Sequence, residues 1–187
     1  PVLQATAIRK SYQRRLLPRG RSHQVLAGAD LELHPGEVVG LVGENGSGKT
    51  TMMRILVGAL AADAGEVCRA GRIGYCPQEP LVYGRLTCDE HFELFARAYG
   101  ITPALEHRNR DALYESLGFG RYAGTRSDQL SGGTLSKLNL SLALLPDPEV
   151  LLLDEPYAGF DWDTYLKFWD LVAAHRAAGR SVLIISH

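Results

Sequence analysis

Gly43-Glu44-Asn45-Gly46-Ser47-Gly48-Lys49-Thr50 has the composition and spacing of a phosphate cradle, G-x-x-x-x-G-K-[ST]. Glycines let successive backbone N–H groups turn inward around an anion with no Cβ in the way. Lys49 brings a positive charge to the terminal phosphates, and the Thr50 hydroxyl is a hard oxygen ligand for Mg2+. A helix beginning at Gly48 or Lys49 points the positive end of its dipole at the same anion. Asp154 and Glu155 follow the apolar run Val150-Leu151-Leu152-Leu153. At such a strand end the first carboxylate holds Mg2+ through its water shell. The second accepts a proton from an attacking water, or orients it. In Leu130-Ser131-Gly132-Gly133-Thr134, Ser131 reads as a helix N-cap, while Ser-Gly-Gly also offers a hydroxyl and backbone donors to an anion. The phosphate cradle indicates that the chain binds a nucleoside triphosphate.

These residues need elements to hold them. Short apolar runs at Val38 to Val42, Ile73 to Cys76, Val150 to Leu153 and Val182 to Ile185 alternate with helical patterns. That order predicts an α/β domain with a mostly parallel sheet, and the near-continuous hydrophobicity predicts strands buried on both faces. Leu3 to Ile8 and Val25 to Leu33 read as weaker strands around a polar loop. Between Cys88 and Leu145 the pattern is helical only. Thr87 and Glu90 form a capping box, and Phe92, Phe95, Ala96 and Tyr99 follow at helical spacing before Gly100. A second helix is predicted over Leu105 to Leu117. Leu135, Leu138, Leu142 and Leu145 share one face of the helix after Ser131. Trp162, Tyr165, Leu166, Trp169 and Val172 share another, read as core packing.

With 187 residues, 45% of them hydrophobic, the chain is long enough for one domain with a real core. A formal net charge of −1 gives no overall field for nucleic acid, so no nucleic-acid partner is expected. Cys68, Cys76 and Cys88 form no C-x-x-C pair and read as reduced thiols. No run approaches the roughly 20 apolar residues needed to span a bilayer, so direct membrane insertion is not expected. The stretch holding Arg9, Lys10, Arg14, Arg15, Arg19 and Arg21, with Pro18 and Gly20 inside it, reads as a solvated loop, with contact to a polyanion or anionic lipid as the alternative. The chain begins at Pro1 without Met and stops at His187 after an apolar strand, which reads as a C-terminally incomplete domain.

From about Ser11 to His187 the sequence resembles the ATP-binding cassette of ABC transporters, on the motifs GENGSGKTT, YCPQEP, LSGGT, VLLLDEPYAGFD and SVLIISH. The resemblance implies a P-loop NTPase fold: a RecA-like core with a mainly parallel sheet, an N-terminal antiparallel β subdomain and an inserted helical subdomain. Residues 1–37 and about 64–76 would form the β subdomain, 38–63 and 146–187 the core, and about 79–145 the helical insert. It implies ATP and Mg2+ as ligands. Lys49, Thr50 and the loop Gly43, Glu44, Asn45, Gly46, Ser47, Gly48 and Thr51 would hold the phosphates. Thr50, Gln78 and Asp154 would serve the Mg2+, and Tyr12 would stack on adenine. Glu155 matches the catalytic glutamate, with Lys49, Gln78 and His187 completing the catalytic set. Ser131, Gly132 and Gly133 would close over the ATP of a second cassette in a head-to-tail dimer, and Asp161 would cross that interface. Glu79 to Asp89 would line a groove for a transmembrane permease subunit.

Thr134 stands where the family usually has Gln, Tyr157 where it has Thr or Ser, and Phe160 where it has Leu. Thr134 keeps a hydroxyl but shortens the reach, which implies slower turnover or an unequal opposite site, while Tyr157 and Phe160 keep bulk at an interface loop and remove no catalytic group. The expected function is ATP hydrolysis that energises a separate transmembrane subunit at the inner face of the cell membrane, export ahead of import. A soluble cassette acting on ribosomes or DNA is the alternative.

Overall fold

The computed structural model describes residues 1–13 and 22–186. Two sheets carry the chain. β1 (Leu3–Gln13) lies between β2 (Ser22–Leu33) and β4 (Ala64–Arg69), all antiparallel. The second sheet has the order β3 (Val38–Val42), β7 (Ser181–Ser186), β6 (Val150–Asp154), β5 (Ile73–Cys76), with every pair parallel. Ile73–Cys76 thus belongs to the parallel sheet, not with 64–72 in the β part. Its register against Val150–Leu153 places alternate residues on both packed faces, which only the layer between helices offers.

The helices are α1 (Lys49–Leu56), α2 (Cys88–Tyr99), α3 (Pro103–Leu117), α4 (Gly132–Leu144) and α5 (Trp162–Ala177). The predicted capping box starts α2: Thr87 Oγ1 accepts from the Glu90 N–H, and Glu90 accepts from the Thr87 N–H. Gly100, in the left-handed region, ends that helix. The period-2 pattern of β6 and β7 divides the core. Val150, Leu152, Leu183 and Ile185 face α1 and the antiparallel sheet, packing with Met52, Met53, Leu56, Leu3 and Ile8. Leu151, Leu153, Val182 and Ile184 face the helical part, packing with Leu138, Leu142, Phe92 and Phe168. One sheet therefore ties the phosphate-loop side to the helical side.

Three expectations of burial need correction. Val38–Val42 is an edge strand whose one hydrogen-bonded neighbour among the described residues is β7, so Val42 is exposed. Apolar character alone does not distinguish an edge from a central parallel strand. In α5 the buried face is Thr164, Phe168, Val172 and His175, whereas Trp162 is 70% exposed and Leu166 and Trp169 also reach solvent. The aromatics stack on one another instead: Trp162 lies flat on Tyr165, with ring centroids 5.8 Å apart. In α4, residues Leu138 to Ala143 are buried all round, because α4 lies between α2, α3 and β5.

Candidate functional site

The phosphate loop links β3 to α1. Gly48 sits at the N-cap of α1 with φ +92°, and a Cβ there would come within 2.9 Å of Val25. Both the conformation and the space demand glycine. Gly43 and Glu44 turn their carbonyls onto the Lys49 ammonium, at 2.5 and 2.9 Å, which holds the charge inside the loop. The Ser47 N–H donates to the Glu44 carbonyl at 3.2 Å, tightening the same turn. Lys49 is buried, with Thr50 and Thr51 beside it at the helix start.

β6 delivers the two acids. Asp154 is fully buried at the strand end. Burial, with the Asp154 charge added, pushes the neighbouring Tyr75 phenol up to about 12, and the same two causes raise the Cys76 thiol. Glu155 takes φ +49°, a left-handed conformation rare for a residue with a side chain. There Gln78 Nε2 donates to Glu155 Oε2 at 3.3 Å. Asn139 holds the Gln78 segment from behind, donating to the Pro77 carbonyl at 2.8 Å.

Asn45, Gly46, Gly48, Lys49, Thr50, Thr51, Gln78 and Glu155 line one cleft of about 430 Å³. His23, Val25 and Ile185 complete its wall. His23 carried no motif and sequence reasoning missed it. The hairpin register that sets His23 opposite Tyr12 is the available signal, because directly opposed residues share a face. Tyr12 itself is outside the cleft wall, partly exposed, with Lys10 Nζ 6.0 Å from its ring centre. His187 and Arg14, Arg15, Arg19 and Arg21 lie outside the described residues.

Ser131, Gly132, Gly133 and Asp161 do not line this cleft. They form a second cluster. Ser131 caps α4, accepting from the Thr134 N–H at 3.3 Å, and its hydroxyl lies 2.9 Å from that of Thr134. Thr134 therefore engages the Ser131 side chain directly. Asp161 caps α5, and hydrogen bonds from Thr164 hold its carboxyl below the usual range. The two caps are bound together, since a Cβ on Gly133 would sit 2.5 Å from the Gly159 carbonyl and Ser136 Oγ donates to the Ala158 carbonyl. Tyr157, another residue without an assigned role, donates to Ser186 Oγ at 2.6 Å and packs edge-on against Phe168.

Leu81 and Tyr83, in the segment after Gln78, are 64% and 62% exposed. Their loop is nonetheless held firmly. The Tyr83 N–H donates to the buried His91 Nε2 at 2.8 Å, and Ser127 Oγ donates to the Tyr83 carbonyl. No helix among the described residues is long and apolar enough to cross a membrane.

Residues 26–158 match the family model described as ABC transporter. The chain is 37% identical over 169 residues to the human phospholipid-transporting ATPase ABCA7, covering 84% of this chain and 8% of that protein. It is 32% identical to the lipopolysaccharide export system ATP-binding protein LptB of Acidithiobacillus ferridurans, over all of this chain and 80% of that one. The dimeric structure of MJ0796, a bacterial ABC transporter cassette, superposes with a TM-score of 0.88 at 23% identity, covering 99% of this chain and 88% of that one. The P-loop fold, with its antiparallel and parallel sheets, is that of these cassettes, and the chain belongs to the ABC transporter family as an ATP-binding cassette.

Proposed function

We propose that this chain hydrolyses ATP to ADP and phosphate and, paired head to tail with a second cassette, energises a transmembrane permease subunit. The observation that carries the hydrolytic reading is the 3.3 Å contact of Gln78 with Glu155 in the same cleft as Lys49 and Thr50. Backbone N–H groups of residues 45–51 and the Lys49 ammonium bind the phosphates and stabilise charge on the γ-phosphoryl oxygens. Glu155 accepts a proton from, or orients, the water that attacks phosphorus as the bond to the β-phosphate oxygen breaks. Gln78 fixes the Glu155 carboxylate for that role, and His187 approaches the γ-phosphate. Tyr12, on the same face as His23, stacks on adenine.

The oxygen donors Thr50, Gln78 and Asp154 fit Mg2+, and the fully buried charge of Asp154 is of the kind a hard cation offsets. When bound, the ion neutralises phosphate charge. The separation of the Ser131–Gly133 and Asp161 cluster from the cleft supports a composite site, in which each cassette closes those groups over its partner's ATP. The dimeric form of the MJ0796 cassette supports the same arrangement. The exposed Leu81 and Tyr83, the latter held by His91, suit the surface that receives the permease. Peripheral placement on the inner face of the cell membrane follows from that docking. Export is favoured by the relatives named for phospholipid transport and lipopolysaccharide export.

Glu155→Gln tests the hydrolytic role. Turnover falls by at least about a hundredfold, the scale of a lost general base, while ATP still drives dimerisation. Robust residual hydrolysis would remove Glu155 from this role.

A further inference from the structure

Pro77 follows β5 and leads the chain into Gln78. A proline has no N–H, so its carbonyl is the one main-chain hydrogen-bonding group by which it can be held. Asn139 of α4 holds it: Nδ2 donates to the Pro77 carbonyl at 2.8 Å and lies 3.2 Å from Cys76 Sγ, a weak acceptor. Asn139 is buried, and a buried amide costs stability unless it is bonded, so these two contacts account for its place between α4 and the end of β5. The two elements meet closely, since a Cβ on Gly74 of β5 would run into the Ala143 carbonyl of α4.

Beyond Pro77 the chain has little else to fix it. Among the described residues, no bond between main-chain groups joins residues 78–82 to one another or to the rest of the fold. The stretch is fastened at its ends by side chains of the helical part: Asn139 at Pro77, and His91 of α2 with Ser127 at Tyr83. Gln78 is the first residue past the Asn139 bond, and its Nε2 reaches Glu155 Oε2 at 3.3 Å. We propose that Asn139 is a positioning residue for hydrolysis, which through the Pro77 carbonyl keeps Gln78 within reach of Glu155 and makes its place follow α4. The inference rests on the hydrolytic role of Glu155 proposed above. Since α4 starts at the Ser131 cap, about two turns before Asn139, one helix carries a group of each cluster.

The experiment makes Asn139→Leu, which keeps the branched shape and removes the donor, alone and together with Gln78→Ala. Alone, it lowers kcat about three- to tenfold, the scale of one neutral hydrogen bond, with the affinity for ATP measured without Mg2+ unchanged. In the Gln78→Ala background it brings no further fall, because the residue it acts through is gone. A loss of folded protein would lower both backgrounds alike. Without nucleotide, the side-chain amide signal of Gln78 in the 15N-glutamine-labelled chain, identified by its loss in Gln78→Ala, shifts on Asn139→Leu. An unchanged kcat, an unmoved Gln78 signal, or a fall that multiplies with that of Gln78→Ala would overturn the proposal. Full turnover by Glu155→Gln would overturn the hydrolytic reading itself, in a variant that leaves Asn139 and Pro77 in place. Slow Glu155→Gln beside full-speed Asn139→Leu would overturn the role of Asn139 alone. If Asn139→Leu does not fold, Asn139→Ala removes the same donor without added bulk and goes through the same comparisons.

Discussion

Glu155 is held twice: its backbone by the left-handed conformation at the end of β6, its carboxylate by Gln78. Strain of that kind persists only where the surroundings over-determine it, here the Glu155 N–H donating to the Ile185 carbonyl at 3.3 Å. Gln78→Ala keeps the phosphate contacts and frees the carboxylate. The account predicts about a tenfold fall in kcat with the affinity for ATP measured without Mg2+ nearly unchanged, read from steady-state kinetics beside equilibrium binding. His175 gives a second prediction at this scale. Its pKa falls from about 6.5 in the unfolded chain to about 4 in the folded one, so the unfolded state binds more protons between those values. Stability is therefore complete above about pH 7 and declines as pH falls through 6.5 toward 4, by on the order of 2–3 kcal/mol. His175→Gln should flatten that slope in urea melts taken at pH 7 and pH 5; an unchanged slope would assign it to other groups.

At the scale of elements, β6 and β7 carry both packed faces of the core, and α4 crosses from the Ser131 cap into its centre. Leu152 is fully buried against α1, so Leu152→Ala should cost about 2–5 kcal/mol in denaturant unfolding. Thr87→Ala, which removes the capping box of α2, should cost about 1 kcal/mol. The capping box, the parallel sheet and the phosphate loop were legible because each depends on local spacing. The misread features depend on neighbours far along the chain. Val38–Val42 reads the same at an edge as in the middle of a sheet, and Ile73–Cys76 shows its membership only through pairing with Val150–Leu153. The aromatics of α5 are apolar at helical spacing, yet Phe168 and Val172 face the core while Trp162 faces solvent. His23 entered the cleft wall through hairpin register, which no motif records.

Across the whole molecule, the groups that suit ATP chemistry fall into two clusters. The phosphate loop, Gln78 and Glu155 share one cleft, while the caps at Ser131 and Asp161 are bound to each other elsewhere. If ATP joins the first cluster of one chain to the second of another, neither Lys49→Ala nor Ser131→Arg alone retains a complete site. A mixed dimer does retain one: the phosphate loop of the Ser131→Arg chain faces the intact Ser131 segment of the Lys49→Ala chain. The most direct measurement is ATP turnover by the two variants, separately and mixed in equal amounts. The account predicts near-background rates for each alone and recovery of about a quarter of the unsubstituted rate on mixing, since half of the dimers are mixed and each has one working site of two. A mixture no faster than the sum of its parts, or full turnover by Ser131→Arg alone, would contradict a site shared between two cassettes.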